Sequence, residues 1–246
     1  MLQTTAIKDS FQLNSSQLTE PLLENGDRLS RDEFERRYAR MPEHYKAELI
    51  EGIVYMAAAA LRLNSHGRPH SLLNAWLTTY HISTLGTFVG DAPTVRLDSV
   101  NEPQPDLVLF IDPEYGGQAK VTEDDYIAGS PELLAEIAAS TVSIDLGMKK
   151  VAYERNGVRE YLVWRVLDRQ MDWFCLQDGC YVDLLADADG ITRSLVFPGL
   201  WLDRTALIND EMRQVMAVLQ LGMASVDYHQ FVEQLNRFKP FNQSAE

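Results

Sequence analysis

Apolar positions recur along the chain with two different periods, and the period sorts them into helices and strands. Leu72, Leu73, Trp76, Leu77 and Tyr80 fall at helical spacing within SHGRPHSLLNAWLTTYHI (65–82), which predicts an amphipathic helix. SRDE at 30–33 has the form of a capping box, with Ser30 as N-cap and Glu33 reaching back, so a short helix to about Ala39 follows. A further helix is expected from Asp145 to Asn156, with Asp145 in the dipole-favoured first turn and Gly157 just past the end. Helical spacing in 204–221 and 227–238 predicts two closing helices.

The strands lie between these helices. YKAELIEGIVYMA (45–57) reads as two strands about a Glu51-Gly52 turn. Strands are expected over 86–97, 104–111 and 159–167. MDWFCLQ, CYVDLLA and TRSLVF then continue as a meander, with turns at Asp178-Gly179 and Asp189-Gly190. PELLAEIAAS (131–140) is a short continuous apolar run, the pattern of a strand buried on both faces. This order predicts an α/β (α+β) fold, a mixed central sheet flanked by helices. Residues 1–28 are polar and aperiodic and are expected to form a flexible arm. The sheet-bearing domain is expected over 29–203, and a helical extension over 204–246 packs on it.

Composition narrows the class without naming a function. The chain has 246 residues, 46% hydrophobic and 24% charged, as in an ordinary globular protein. No apolar stretch reaches the length of a membrane span, and MLQTTAIKDSFQLNSSQ lacks the apolar core of a secretory signal. Two cysteines, Cys175 and Cys180, suit free thiols in a reducing, cytoplasmic setting better than a hairpin disulfide. The net charge of −14 excludes a broad basic face that grips nucleic acid. That charge is uneven: 98–145 holds eleven acidic residues against Lys120 alone, whereas 146–169 holds six basic residues against three acidic.

Glu136 gives this asymmetry a chemical meaning. A lone carboxylate within a buried strand costs several kcal/mol unless a partner or a metal compensates it. Along a strand the side chains alternate faces, so Asp106 goes with Val108 and Phe110, and Glu136 with Leu134 and Ala138. If the two strands are neighbours, both carboxylates converge on one divalent cation, and hard oxygen ligands select Mg²⁺ or Mn²⁺. The plainer alternative sets each carboxylate at a strand end facing water. Glu48, in AELIEG, is a third carboxylate that means little alone. Asp145, Lys149 and Tyr153 share one helix face, while Lys150 is rotated away and expected to be solvated. His66 and His70 have a spacing that can bind zinc, but no third ligand is evident, and surface or capping positions suit them better. Arg96 either touches phosphate or balances Asp98.

Glu48 to Gly52, Pro105-Asp106, Glu136-Ile137 with Ser140-Thr141, and Asp145, Lys149, Tyr153 and Gly157 form an ordered set. The set resembles the PD-(D/E)XK superfamily of restriction-endonuclease-like nucleases, in a bacterial branch formerly of unknown function. The superfamily's strand lysine is replaced here by Ala138, and in this branch the following helix supplies it as Lys149. The resemblance covers about 28–203 and implies a restriction-endonuclease-like domain. It further implies Asp106, Glu136 and the backbone carbonyl of Ile137 as Mg²⁺ (or Mn²⁺) ligands, with Glu48, Asp106, Glu136 and Lys149 as catalytic residues. The implied activity is metal-dependent hydrolysis of DNA, bound weakly and only with the cation, by a cytoplasmic homodimer. Two other readings stay open: a catalytically silent nuclease-like fold used for binding or assembly, and an acidic cation-binding module.

Overall fold

The computed structural model describes residues 21–42, 45–56 and 62–238. In chain order the elements begin with α1 (Arg31–Tyr38), β1 (Ala47–Ile50), β2 (Ile53–Met56), α2 (Arg68–Ser83), β3 (Thr87–Asp91), β4 (Val95–Arg96) and β5 (Leu107–Ile111). There follow β6 (Lys120–Val121), β7 (Ile127–Ala128), β8 (Leu133–Ala138), α3 (Val142–Ile144), α4 (Lys150–Arg155), β9 (Glu160–Arg165), β10 (Gln170–Gln177) and β11 (Cys180–Asp183). The chain closes with β12 (Ile191–Arg193), β13 (Trp201–Asp203), α5 (Arg204–Ile208), α6 (Met212–Met223) and α7 (Val226–Phe238). Two wide π turns interrupt the helical ladder, Leu63–Gly67 ahead of α2 and Asp145–Lys149 between α3 and α4.

The core is a six-stranded mixed sheet in the order β11-β10-β9-β8-β5-β3, in which only β8 and β9 run parallel. Alternation along the central strands divides the interior in two. Leu107, Leu109, Leu133, Ala135 and Ile137 pack on the side of α2, α6 and α7. Val108, Phe110, Leu134 and Ala138 pack on the side of Tyr153 and Tyr161. The meander holds for β9, β10 and β11, but TRSLVF leaves it: β12 pairs with β13 in a separate two-stranded sheet. The strand expected over 86–97 is also broken. Ala92 adopts a positive φ of 49° and Pro93 lacks an N–H for the ladder, so the chain turns out of the sheet between β3 and β4.

Ser30 caps α1, its Oγ accepting from the Glu33 N–H. Glu51 and Gly52 both have positive φ, the geometry of a tight hairpin turn between β1 and β2. Of the expected N-terminal arm, residues 1–20 lie outside the described residues, while Leu23 is buried with Phe34, Leu49 and Val54. The first closing helix is divided at Asn209–Glu211 into α5 and α6. Val215, Val218 and Leu219 are buried and Leu221 stays exposed, so the apolar stripe of α6 is mainly core. Cys175 and Cys180 are both free thiols; Cys175 lies opposite Val182 and Cys180 opposite Gln177. No helix among the described residues is long and apolar enough to cross a membrane.

Candidate active site

The site is assembled from three backbone segments and centred on the Lys149 ammonium. β8 carries Glu136 on the Tyr153 side of the sheet. After β8 and the short α3, the Asp145–Lys149 π turn brings Lys149 back to Glu136, and the β1–β2 hairpin brings in Glu48. Lys149 Nζ lies 2.8 Å from Glu48 Oε2, 3.0 Å from Glu136 Oε1 and 4.0 Å from Asp145 Oδ1. Tyr153, one turn on, donates its hydroxyl to the same Glu136 Oε1 at 3.0 Å. Glu48 Oε2 also accepts the Gln104 N–H, and Asp145 Oδ2 accepts from Thr141 Oγ1 at 2.6 Å.

Asp106 joins from the neighbouring strand. The register pairing Leu107 with Ala135, continued by one residue, sets Asp106 across from Glu136. Its Oδ2 accepts the Ile137 N–H at 2.7 Å, and its Oδ1 lies 3.1 Å from His66 Nε2. The peptide N–H of Ile137, rather than its carbonyl, is thus the group that touches Asp106.

Two opposing forces act on every charge here. Burial pushes the Glu136 carboxyl well above its ordinary range, Lys149 opposing and Asp145, Asp106 and Glu48 adding to it. Burial likewise works against the Lys149 charge, yet Glu136, Glu48 and Asp145 outweigh it and hold the ammonium protonated. Asp145 is pushed up to about 6 by burial, against Lys149 and Thr141. For Asp106 the balance reverses: burial would raise it, but the His66 contact and the Ile137 N–H bring it below the ordinary value. His66 is correspondingly raised, by its bond to Asp106. Four carboxyl groups thus crowd one ammonium, an excess of acidic groups that burial and mutual repulsion relieve in part by favouring the protonated form of Glu136.

That excess fits a hard divalent cation in charge and donor chemistry, since carboxylate oxygens are its preferred ligands. Among the described residues, no three His, Cys, Asp or Glu side chains are arranged to enclose an ion. The oxygens of Glu48, Glu136 and Asp145 turn instead toward Lys149.

Several residues stand where the sequence did not put them. His66 and His70 are half-buried and engaged by carboxylates: besides the His66 contact, His70 Nε2 donates to the Asp106 carbonyl at 3.1 Å and lies 3.3 Å from Asp91 Oδ1. The i, i+4 spacing that suggested zinc was the available signal, and its partner is a carboxylate. Lys150 is not simply solvated; its ammonium sits 3.6 Å over the Phe174 ring. Arg96 neither pairs with Asp98 nor reaches the site, because it lies against Glu35, Asp124 and the Tyr126 ring. Glu132, in the same apolar run as Glu136, is fully buried and accepts the N–H groups of Ile111 and Gln118.

A mixed sheet with acids on adjacent central strands and a lysine on the returning helix defines a restriction-endonuclease-like fold of the PD-(D/E)XK kind. A family model described as "Putative restriction endonuclease" matches residues 31–205, and the chain belongs to this family, Uma2. The fold is also similar to that of a crystal structure of "a putative nuclease belonging to DUF820" from Anabaena variabilis, with a TM-score of 0.50 and 13% sequence identity. That likeness covers 70% of this chain and 97% of the other. No curated protein matches the chain.

Proposed function

We propose that the chain is a Mg²⁺- or Mn²⁺-dependent endonuclease that hydrolyses phosphodiester bonds of DNA. The observation that carries this reading is the buried Lys149 ammonium, held between Glu48 and Glu136 beside Asp106 in a chain of the family described as "Putative restriction endonuclease". Asp106 and Glu136, with the Ile137 carbonyl, are the groups that would hold the cation. When bound, the cation supplies Lewis-acid activation of water and of the phosphate. Lys149 offsets the negative charge that develops on the phosphate under attack, where a preorganised ammonium shielded from water acts most strongly. Glu48 and Tyr153 position that chemistry by fixing Lys149 and Glu136, and His66 fixes Asp106. Overall, the oxygen of water bonds to phosphorus, the bond to the leaving oxygen breaks, and that oxygen gains a proton.

Plasmid and single-stranded DNA incubated with the purified protein and either cation should be cut. Glu136→Gln and Lys149→Ala should each lower the rate about a hundredfold or more. A second reading has its own support: the Glu136 and Lys149 side chains are each only 6% exposed, closed upon one another. In that reading the fold is catalytically silent and serves binding or assembly as a homodimer. Clean protein that cuts neither DNA with either cation would favour it.

A further inference from the structure

A cavity of about 590 Å³, lined in part by the π turn that carries His66, has no part in the carboxylate–lysine cluster. It opens on the opposite side of the sheet, since Trp164 lines it and belongs with the α2 side, whereas Val163 belongs with the Tyr153 side. Leu72 of α2, Trp164 of β9 and Leu207 of α5 give it an apolar floor. Three arginines, Arg62, Arg68 and Arg169, line it against one acidic residue, Asp210. Asp210 pairs with Arg68, and Arg169 donates to Asn209 Oδ1 at 2.6 Å, so positive charge remains in excess.

The cavity and the cluster share a wall. Leu63, Asn64 and Ser65 of the first π turn line the cavity, and His66 of the same turn reaches Asp106. Arg68 and Pro69 return to the cavity before His70 reaches the Asp106 carbonyl. On a chain of net charge −14, a convergence of three arginines over an apolar floor selects a ligand that is anionic at one end and apolar at the other. The volume falls in the range of about 300–1,000 Å³ usual for small-ligand sites. Leu63 and Leu167, both strongly exposed, flank the opening and offer aliphatic surface to the faces of a flat ring.

We propose that this cavity binds one nucleotide of the DNA strand next to the cleaved phosphate, its base against the apolar floor and its phosphate on Arg68 and Arg169. The identity of the strand rests on the nuclease reading; the ligand chemistry rests on the cavity alone. The site thereby gives the enzyme a contact with a strand that its acidic cluster would otherwise repel.

The test is fluorescence anisotropy of a labelled single-stranded oligonucleotide of about twelve nucleotides with the full chain in EDTA, a length within the span of single-strand sites. Arg68→Ala, Arg169→Ala and Ser65→Trp, the last filling the cavity, should each weaken binding about tenfold, while Glu136→Gln should not weaken it. Deoxyadenosine monophosphate should compete better than inorganic phosphate. No binding by the wild type, or wild-type affinity in both arginine variants, would overturn the proposal. Equal competition by phosphate would reduce the cavity to an anion site and overturn it too. Variants that alter self-association in sedimentation but not DNA binding would mark a protein contact instead. A protein that binds through the cavity yet never cuts DNA would sink only the nuclease reading. One that cuts while its cavity variants bind normally would sink only the cavity.

Discussion

Glu160 opens β9 fully buried, and replacing it by glutamine measures which of two strong forces sets its charge. Its carboxylate accepts from Trp173 Nε1 at 3.2 Å, from Ser194 Oγ at 2.9 Å, and from the N–H groups of Leu195 and Val196 at 2.7 and 3.1 Å. Each donor favours the ionised form. Burial favours the neutral form and prevails, pushing the pKa up to about 7 from an ordinary 4.5. Between those values the folded chain keeps a proton that the unfolded chain has lost. Stability from this group therefore falls as pH rises from about 4.5 to about 7, and is level above. At 1.36 kcal/mol per unit, the raised pKa amounts to about 3 kcal/mol. Glu160→Gln cannot titrate. Its oxygen can still take the two peptide N–H groups, while its amide nitrogen faces the Trp173 N–H at a cost of about 1 kcal/mol. Urea unfolding of both proteins between about pH 5 and pH 8 reads the difference directly. The advantage of the wild type should shrink by about 2.5 kcal/mol across that range, the rest being lost already below about pH 5. A difference that stays flat, or that grows with pH, would show that the four donors keep the buried carboxylate ionised and would refute the reasoning.

Three further outcomes are expected. Mg²⁺ or Mn²⁺ should raise the melting temperature of the wild type and leave Asp106→Asn unmoved, because only a ligand bound to the native state stabilises it; equal shifts would place the cation elsewhere. Lys149→Met should cost about 3–5 kcal/mol in urea unfolding at neutral pH, since it strands Glu48, Glu136 and Asp145 without their counter-charge. The lysine contribution is present in full there, because its raised pKa releases the proton only above the ordinary lysine range. Lys150→Ala should cost about 1 kcal/mol through the lost Phe174 contact, while DNA cleavage persists; a loss matching that of Lys149→Ala would reassign the helix face.

The central sheet was legible because its signals are local. Continuous apolar runs marked β5, β8 and β9, and alternation within them assigned Asp106 and Glu136 to the correct side. The Asp145–Lys149–Tyr153 spacing was legible for the same reason, a helix face being a property of neighbouring residues. What the sequence hid was long-range. Nothing near His66 indicates Asp106, forty residues on, and nothing near Arg96 indicates Glu35 or Asp124. Lys150 reads as solvated because its aromatic partner, Phe174, comes from a strand two elements later. TRSLVF carries ordinary strand residues, and nothing in it shows that it pairs with the next strand, β13, instead of extending the main sheet.

The two π turns carry a consequence for insertions and deletions. Each is an α turn with one residue more than the regular ladder needs, a form rare enough that its persistence demands compensation. Removing a single residue, such as Gly147, whose Cβ position is open, would let the hydrogen bonds close as ordinary α-helix. The segments on either side would keep their register, but the residues inside the turn would be reassigned to new positions around the helix. In the second turn the spacing of Asp145 to Lys149 would shorten from four residues to three, and in the first the spacing of the cavity-lining residues to His66 would change in the same way. A shortened chain could therefore gain helix stability and still lose the meeting of its charges, so length at these two positions is under a constraint that no single substitution reveals.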